Sequence, residues 1–170
     1  MTKIAEQHWS ARRYAETAHF VPELGAPVLD LLAPRTGERI LDLGCGDGGF
    51  MMTGQELTTA MLEGTGPIIL VFNNSMYGTI RMHQERRFPG RVVGTTLRNP
   101  DFLALARAYG VMGASVTRTE EFAPAFEEAI SRGHAAIIEL KMDPEMITTR
   151  TTLSEIRRNA EERQAQRAEA

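Results

Sequence analysis

At 170 residues the chain is long enough for one domain with a sizeable core, and its 42% hydrophobic content is that of a globular protein. A formal charge of -3 argues against nucleic acid as a partner, because surfaces that bind it are basic. The one cysteine, Cys45, excludes an internal disulfide and fits a reducing, cytoplasmic setting, while the opening MTKIAEQHWSARRY has no secretory apolar core and the longest apolar run, residues 67–72, is too short to span a bilayer.

In chain order, residues 1–20 are polar and aromatic with no clean periodicity. Leu24, Val28, Leu31 and Leu32 recur at helical spacing, and Pro34 and Gly37 stop that helix. Residues 39–43 (RILDL) predict a short buried strand, 44–49 a glycine turn, and 50–63 a helix closed by Gly64. The run IILVF at 68–72 is apolar on both faces, as in a parallel sheet covered on each side. The turn NNSMYG leads to a polar helix from Thr79 to about Arg87, and a Pro/Gly/Arg loop fills 89–100. Asn99-Pro100-Asp101 starts a helix over 101–109, ended by Gly110. A weak strand follows at 111–116, then a helix capped by Thr119 and running to Arg132-Gly133, then a last strand at 135–140 (AAIIEL). The tail 155–169, rich in Glu, Arg, Gln and Ala, reads as a solvated helix or frayed end, with a partner-binding helix as the sharper alternative. Strands alternating with helices predict an α/β fold, a parallel sheet with helices on both faces in a Rossmann-like three-layer sandwich.

Gly46-Asp47-Gly48 is followed, after 24 intervening residues, by Asn73-Asn74. An acid after one strand and an amide oxygen after the next can hold one hard cation between them, because ligands in such sheets gather beyond the strands' carboxyl ends. The glycines let backbone N–H groups approach a diphosphate at a helix start. Taken singly, GDG and NNS are ordinary turns; the chemistry lies in their combination.

Over residues 46–150 the stretches GDGGFMMTGQELTTAM, IILVFNNSMYGTIR and NPDFLALARAYG resemble the C-terminal, diphosphate-binding domain of thiamine diphosphate-dependent enzymes, in particular the acetolactate synthase and benzoylformate decarboxylase group. The resemblance implies that Asp47 and Asn74 give side-chain oxygens to Mg²⁺ and that Met76 gives its backbone carbonyl. It also implies that Gly46, Gly48 and Gly49 shape the turn whose N–H groups meet the diphosphate, and that Tyr77 and Gly78 lie beside the cofactor. Asn73 is the turn-forming partner of Asn74 rather than a ligand. The implied chemistry is C–C bond cleavage or formation on a 2-oxo acid. The glutamate that activates the cofactor in that family sits on a separate pyrimidine-binding domain, and no residue here takes its part; a homo-oligomer, or a partner supplying that domain, is expected.

Residues 38–48, ERILDLGCGDG, resemble motif I of class I S-adenosylmethionine-dependent methyltransferases, with Gly44, Gly46 and Gly48 around the cofactor and Asp42 at its edge. That resemblance covers residues 1–48 as a leader and stops at Gly49: such an enzyme needs a carboxylate after its second strand, where this chain has Asn73-Asn74. The expected organisation is therefore a methyltransferase-like leader (1–48), a thiamine diphosphate-binding domain (46–150) and a polar helical tail (151–170). The expected function is a truncated or chimeric cofactor-binding domain, weakly active or inactive alone. The alternatives are an S-adenosylmethionine-dependent methyltransferase and a non-catalytic remnant or interaction module.

Other residues have simpler expectations. His8, His19, His83 and His134 are scattered; Met51, Met52 and Met61 belong to a core; Glu56, Glu63 and Glu85 are structural or solvent-facing; Arg81, Arg86, Arg87 and Arg91 form a basic cluster on a solvated face or subunit contact. Ser75 and Cys45 have no base beside them in sequence and carry no catalytic role.

Overall fold

A computed structural model describes residues 41–148 and 150–168, with side chains from Gly46 onward. The helix expected before Pro34, the two N-terminal histidines and nearly all of the methyltransferase-like leader lie outside the described residues. Everything described belongs to one compact unit, Gly37–Ala170.

Among the described residues four strands form one parallel sheet in the order β1-β2-β4-β3: β1 (Leu41–Gly46), β2 (Ile68–Asn73), β3 (Met112–Val116) and β4 (Ala136–Lys141). The α/β class is therefore as the alternating pattern predicts. β1 runs three residues past the expected strand end, and the glycine segment is not a free turn. Gly44 is an extra residue in the ladder, since Leu43 pairs with Leu70 while Cys45 pairs with Val71. The helix starts at once after Gly46, as α1 (Asp47–Thr53), and then breaks through a 3₁₀ turn (Gly54–Glu56) into α2 (Leu57–Leu62). The break sits where the Phe50 ring lies against Gly54; a Cβ there would stand 2.9 Å from that ring.

Both faces of the sheet are packed because β2 and β4 are apolar at successive positions. Val71 and Ile137 point toward Phe50, Leu57, Phe102 and Ala106 of α1, α2 and α4 (Phe102–Tyr109). Ile68, Leu70, Ala136 and Ile138 point the other way, toward Ala129 and the Phe122 and Phe126 rings of α5 (Phe122–Arg132); the β-type period of two assigns the faces. Phe50 and Phe102 meet edge to face at 5.5 Å, and fully burying one such ring is worth roughly 2–3 kcal/mol. α4 can lie close to β3 because Gly113 has no Cβ, which would stand 2.8 Å from the Ala106 Cβ.

Most local signals act where the sequence places them; three do not. Asp101 does cap α4, accepting from the N–H groups of Leu103 and Ala104 at 2.9 Å, and Gly110 ends it at φ 71°. Thr119 is not the cap of the next helix: it opens a 3₁₀ turn, and the Glu121 carboxylate closes that end by accepting from the backbone N–H of Thr117 and Arg118. Met51, Met52 and Met61 are exposed, not core; Phe50 and Leu57, seven residues apart on one helical face, point inward instead. The tail is not a free or frayed end. α6 (Leu153–Ala168) docks on α3 (Gly78–Arg87) through buried Leu153, Ile156 and Ala160, and Arg157 reaches buried Glu85. Polar composition concealed that docking, since three small or apolar residues at helical spacing suffice to make one buried stripe. Among the described residues no helix is long and apolar enough to cross a membrane.

Candidate functional site

β1 and β2 are adjacent and parallel, so the residues that follow them emerge side by side at one edge of the sheet. There a cavity of about 470 Å³ opens, lined by Gly46, Asp47, Gly48, Gly49, Asn74, Met76, Tyr77 and Gly78, with Phe72, Thr79, Ile80 and Ile147 completing its wall. All eight residues singled out in the sequence thus line one cavity, and Asp47 and Asn74 share it.

The turn after β2 is held in an uncommon shape. Ser75 has φ +58°, a left-handed conformation that a serine adopts only when its surroundings demand it. The Asn73 side-chain oxygen supplies the demand by accepting from the Ser75 N–H at 3.0 Å and its hydroxyl at 3.2 Å. Asn74 repeats the device one residue on, accepting from the Met76 N–H at 3.2 Å. The segment is then clamped from outside: Tyr77 N–H donates to the Thr95 carbonyl at 2.9 Å, and Leu97 N–H to the Ser75 carbonyl at 2.8 Å. Asn73 is therefore a turn-former, as expected.

The two turns touch through glycine. A Cβ on Gly48 would stand 2.6 Å from the Tyr77 ring, and one on Gly78 would stand 2.7 Å from Ile147 and 3.0 Å from the Asn74 amide. Beside Gly46 and Gly49, by contrast, nothing among the described residues lies within 4 Å of such an atom. Two glycines let protein pack on protein, and two leave open space at the start of α1.

Asp47 is the electrostatic centre. It is 1% exposed, yet no arginine, lysine or histidine forms an ion pair with it among the described residues. Among the described residues its one hydrogen-bond donor is the neutral Asn99 amide, 2.6 Å from Oδ2. A buried carboxylate without a counter-charge is costly, and a cation in the adjoining cavity would relieve it. The described residues contain no group of three or more His, Cys, Asp and Glu side chains that could hold a metal. One carboxylate, one amide oxygen and a backbone carbonyl nonetheless fit a hard cation that keeps its other positions for phosphate oxygens and water.

Two residues here were missed by sequence reasoning. Asn99 was read only as part of a helix start, yet its amide also donates to the Asn73 oxygen at 2.9 Å. Glu139, read only as strand, is 6% exposed and accepts from Asn73 at 2.7 Å and from the Ser115 hydroxyl at 2.9 Å. An acid inside the apolar run AAIIEL was the available signal for Glu139; nothing local marked Asn99. The basic cluster stays out of the site. Arg81 turns to Glu85 and Thr95, while Arg87 and Arg91 flank the Phe88 ring at 5.7 Å each. Of the glycines expected to surround S-adenosylmethionine, Gly44 and Gly46 are strand and Gly48 is helix.

Comparison with known proteins adds a family. Residues 24–140 match the family described as thiamine pyrophosphate enzyme, C-terminal TPP binding domain, a stretch that holds every candidate site residue. The acetolactate synthase large subunit of Corynebacterium glutamicum is 43% identical over 89 residues, covering 49% of this chain and 14% of that protein. The acetolactate synthase isozyme 2 large subunit of Escherichia coli is 29% identical over 148 residues, covering 81% of this chain and 27% of that protein. The mitochondrial acetolactate synthase catalytic subunit of Saccharomyces cerevisiae is 35% identical over 98 residues, covering 58% and 14% respectively. The chain thus spans between about a seventh and a quarter of the length of these relatives.

Proposed function

This chain belongs to the family of the C-terminal TPP-binding domain of thiamine pyrophosphate enzymes, and on that premise we propose that its cavity binds the diphosphate of thiamine diphosphate through one Mg²⁺ ion. The observation that carries the reading is Asp47: a buried carboxylate, unpaired by any basic group, facing a cavity beside open glycine backbone. In this reading Asp47 and Asn74 give side-chain oxygens to the ion and Met76 its carbonyl. Gly48 and Gly49 offer N–H groups to the diphosphate, and Tyr77 and Gly78 form the wall on which the cofactor rests. Asn74 then exchanges or shares the contact its oxygen makes with the Met76 N–H.

When bound, the cofactor supplies the carbanion chemistry that breaks or joins C–C bonds of 2-oxo acids. The contribution of this chain is to bind and orient. Among the described residues, the ionisable side chains lining the cavity are Asp47 and Tyr77, and in this reading Asp47 is committed to the ion. The acid–base group therefore comes from elsewhere, and we assign it to a partner, either a second copy or a chain carrying a pyrimidine-binding domain. Met51, Met52 and Ile80, exposed on helices that begin at the cavity, supply apolar surface for such a contact. The chain alone is then a cofactor binder with weak turnover or none.

Calorimetric titration with thiamine diphosphate and Mg²⁺ tests this. Saturable binding that needs the metal and disappears in Asp47→Ala and Asn74→Ala is expected. Binding indifferent to both substitutions, or no binding at all, overturns it.

A further inference from the structure

We infer that Asn99, which lies in neither the GDG nor the NN motif, is a positioning residue that confines Asp47 to one-oxygen coordination and so selects a small octahedral cation; the inference rests on the metal reading proposed above. Asn99 donates to Asp47 Oδ2 at 2.6 Å, and Asp47 Oδ1 has no hydrogen-bond partner among the described residues. With Oδ2 engaged by an amide, a cation meets Asp47 through Oδ1 alone. One-oxygen coordination suits Mg²⁺, which demands near-octahedral geometry. Ca²⁺ takes more ligands in looser arrangements and readily accepts both oxygens of a carboxylate.

The orientation of Asn99 is itself dictated from the far side of the sheet. Ser115 on β3 pairs directly with Glu139 on β4, and its hydroxyl donates to Glu139 Oε2 at 2.9 Å. The Glu139 carboxylate only accepts, so Asn73, two positions beyond the Val71 that pairs with Glu139, must turn its NH₂ toward it, at 2.7 Å. The Asn73 oxygen then faces Asn99 and can only accept, which forces the Asn99 NH₂ to serve both it, at 2.9 Å, and Asp47. A flipped Asn99 would set its own oxygen against two acceptors. One polar line, Ser115–Glu139–Asn73–Asn99–Asp47, crosses the sheet, with Ser115 and Asn73 both donating to Glu139 and Asn99 donating to both Asn73 and Asp47.

The test is calorimetric titration of the full chain with thiamine diphosphate in rising Mg²⁺ or, separately, rising Ca²⁺, for wild type, Asp47→Ala, Asn99→Ala and Glu139→Gln. Thermal unfolding runs alongside. Outer-shell partners of metal ligands typically govern affinity by roughly 10–100-fold. Asn99→Ala should weaken Mg²⁺ within that range and lower the preference for Mg²⁺ over Ca²⁺. Glu139→Gln, nearly isosteric, should do the same in part by replacing the carboxylate that accepts from the Asn73 NH₂ with a weaker amide acceptor, while the Ser75 N–H still holds the Asn73 oxygen, with its melting temperature close to wild type. A purely structural role would shift melting and leave the Mg²⁺/Ca²⁺ ratio alone, which overturns the inference. If wild type binds with Mg²⁺, Asp47→Ala does not, and Asn99→Ala and Glu139→Gln both keep wild-type affinity and ratio, the inference fails while the metal reading stands. If wild type shows no metal-dependent binding, both fail. Should Asn99→Ala not fold, Glu139→Gln decides alone.

Discussion

Two carboxylates are buried in this protein in opposite ways. Glu85, on α3, is 0% exposed and wholly compensated: Arg157 from α6 donates from two nitrogens at 2.5 and 2.9 Å, Arg81 donates at 3.3 Å, and the Gly90 N–H at 2.9 Å. Asp47, at the start of α1, is 1% exposed and has one neutral donor. The first arrangement closes on itself, with every lone pair answered by the protein. The second is open toward a cavity. Equal burial with unequal compensation separates a carboxylate that holds the fold together from one that the fold holds in readiness.

The largest expected effect tests that separation directly. Asp47→Asn should abolish Mg²⁺-dependent cofactor binding while leaving the melting temperature of the metal-free protein equal to wild type or above it, because an uncompensated buried charge is removed. A drop of many degrees would place Asp47 with Glu85 as a structural group. Glu85→Gln should do the reverse, lowering stability by about 2–3 kcal/mol in a denaturant titration, since Arg157 and Arg81 lose their shared acceptor. An unchanged midpoint would break the comparison from the other side.

Acid sharpens it further. The Arg157 hydrogen bonds, opposed by burial and helped by the Gly90 N–H and by Arg81, hold the Glu85 carboxyl at about 2, below its ordinary 4.5. A group depressed in the folded state contributes fully above its unfolded value. That contribution should therefore be complete above about pH 4.5 and disappear as pH falls toward 2. Glu85→Gln should flatten the stability profile across that window; a profile as steep as wild type would assign the acid sensitivity to other groups.

The smallest effects belong to the glycines. Gly48→Ala must displace the Tyr77 ring, which stands 2.6 Å from the added atom, and should weaken cofactor binding about tenfold, roughly 1.4 kcal/mol. Gly49→Ala meets nothing within 4 Å in the protein, so its melting temperature should stay at the wild-type value while cofactor titration reports whether the open space is the ligand's. Equal titrations for Gly49→Ala and wild type would put the diphosphate elsewhere in the cavity.

Much of this was legible along the chain. The apolar runs of β2 and β4, the Asp101 cap and the Gly110 and Gly133 stops are local signals with local causes, and each appears where its residues predict. Asp47 and Asn74 were legible for a different reason: two motifs after two strands of a parallel sheet must open at the same end if the strands are neighbours, whereas Met76, Tyr77 and Gly78 followed from the resemblance to thiamine diphosphate-dependent enzymes. What failed was whatever depends on a distant partner. Met51 and Met52 look like core residues, but Phe50 and Leu57 take the inward face. The tail looks solvated until Ile156 and Arg157 find α3 and Glu85.

The amino-acid order by itself determined the α/β class, the period-two burial of the central strands and the two polar motifs that follow β1 and β2, because these follow from patterns spanning a few residues at a time. Only the tertiary structure decided that Asp47 is buried without a counter-charge, that Asn99 holds one of its oxygens, and that Glu139 and Ser115 stand behind Asn99 across the sheet. Those contacts join residues 24 to 66 positions apart in the chain, as the Ser115–Glu139 and Asn73–Glu139 bonds show. Hydrogen bonding between such positions has no signature in local composition, since strand order and register alone bring the groups within reach.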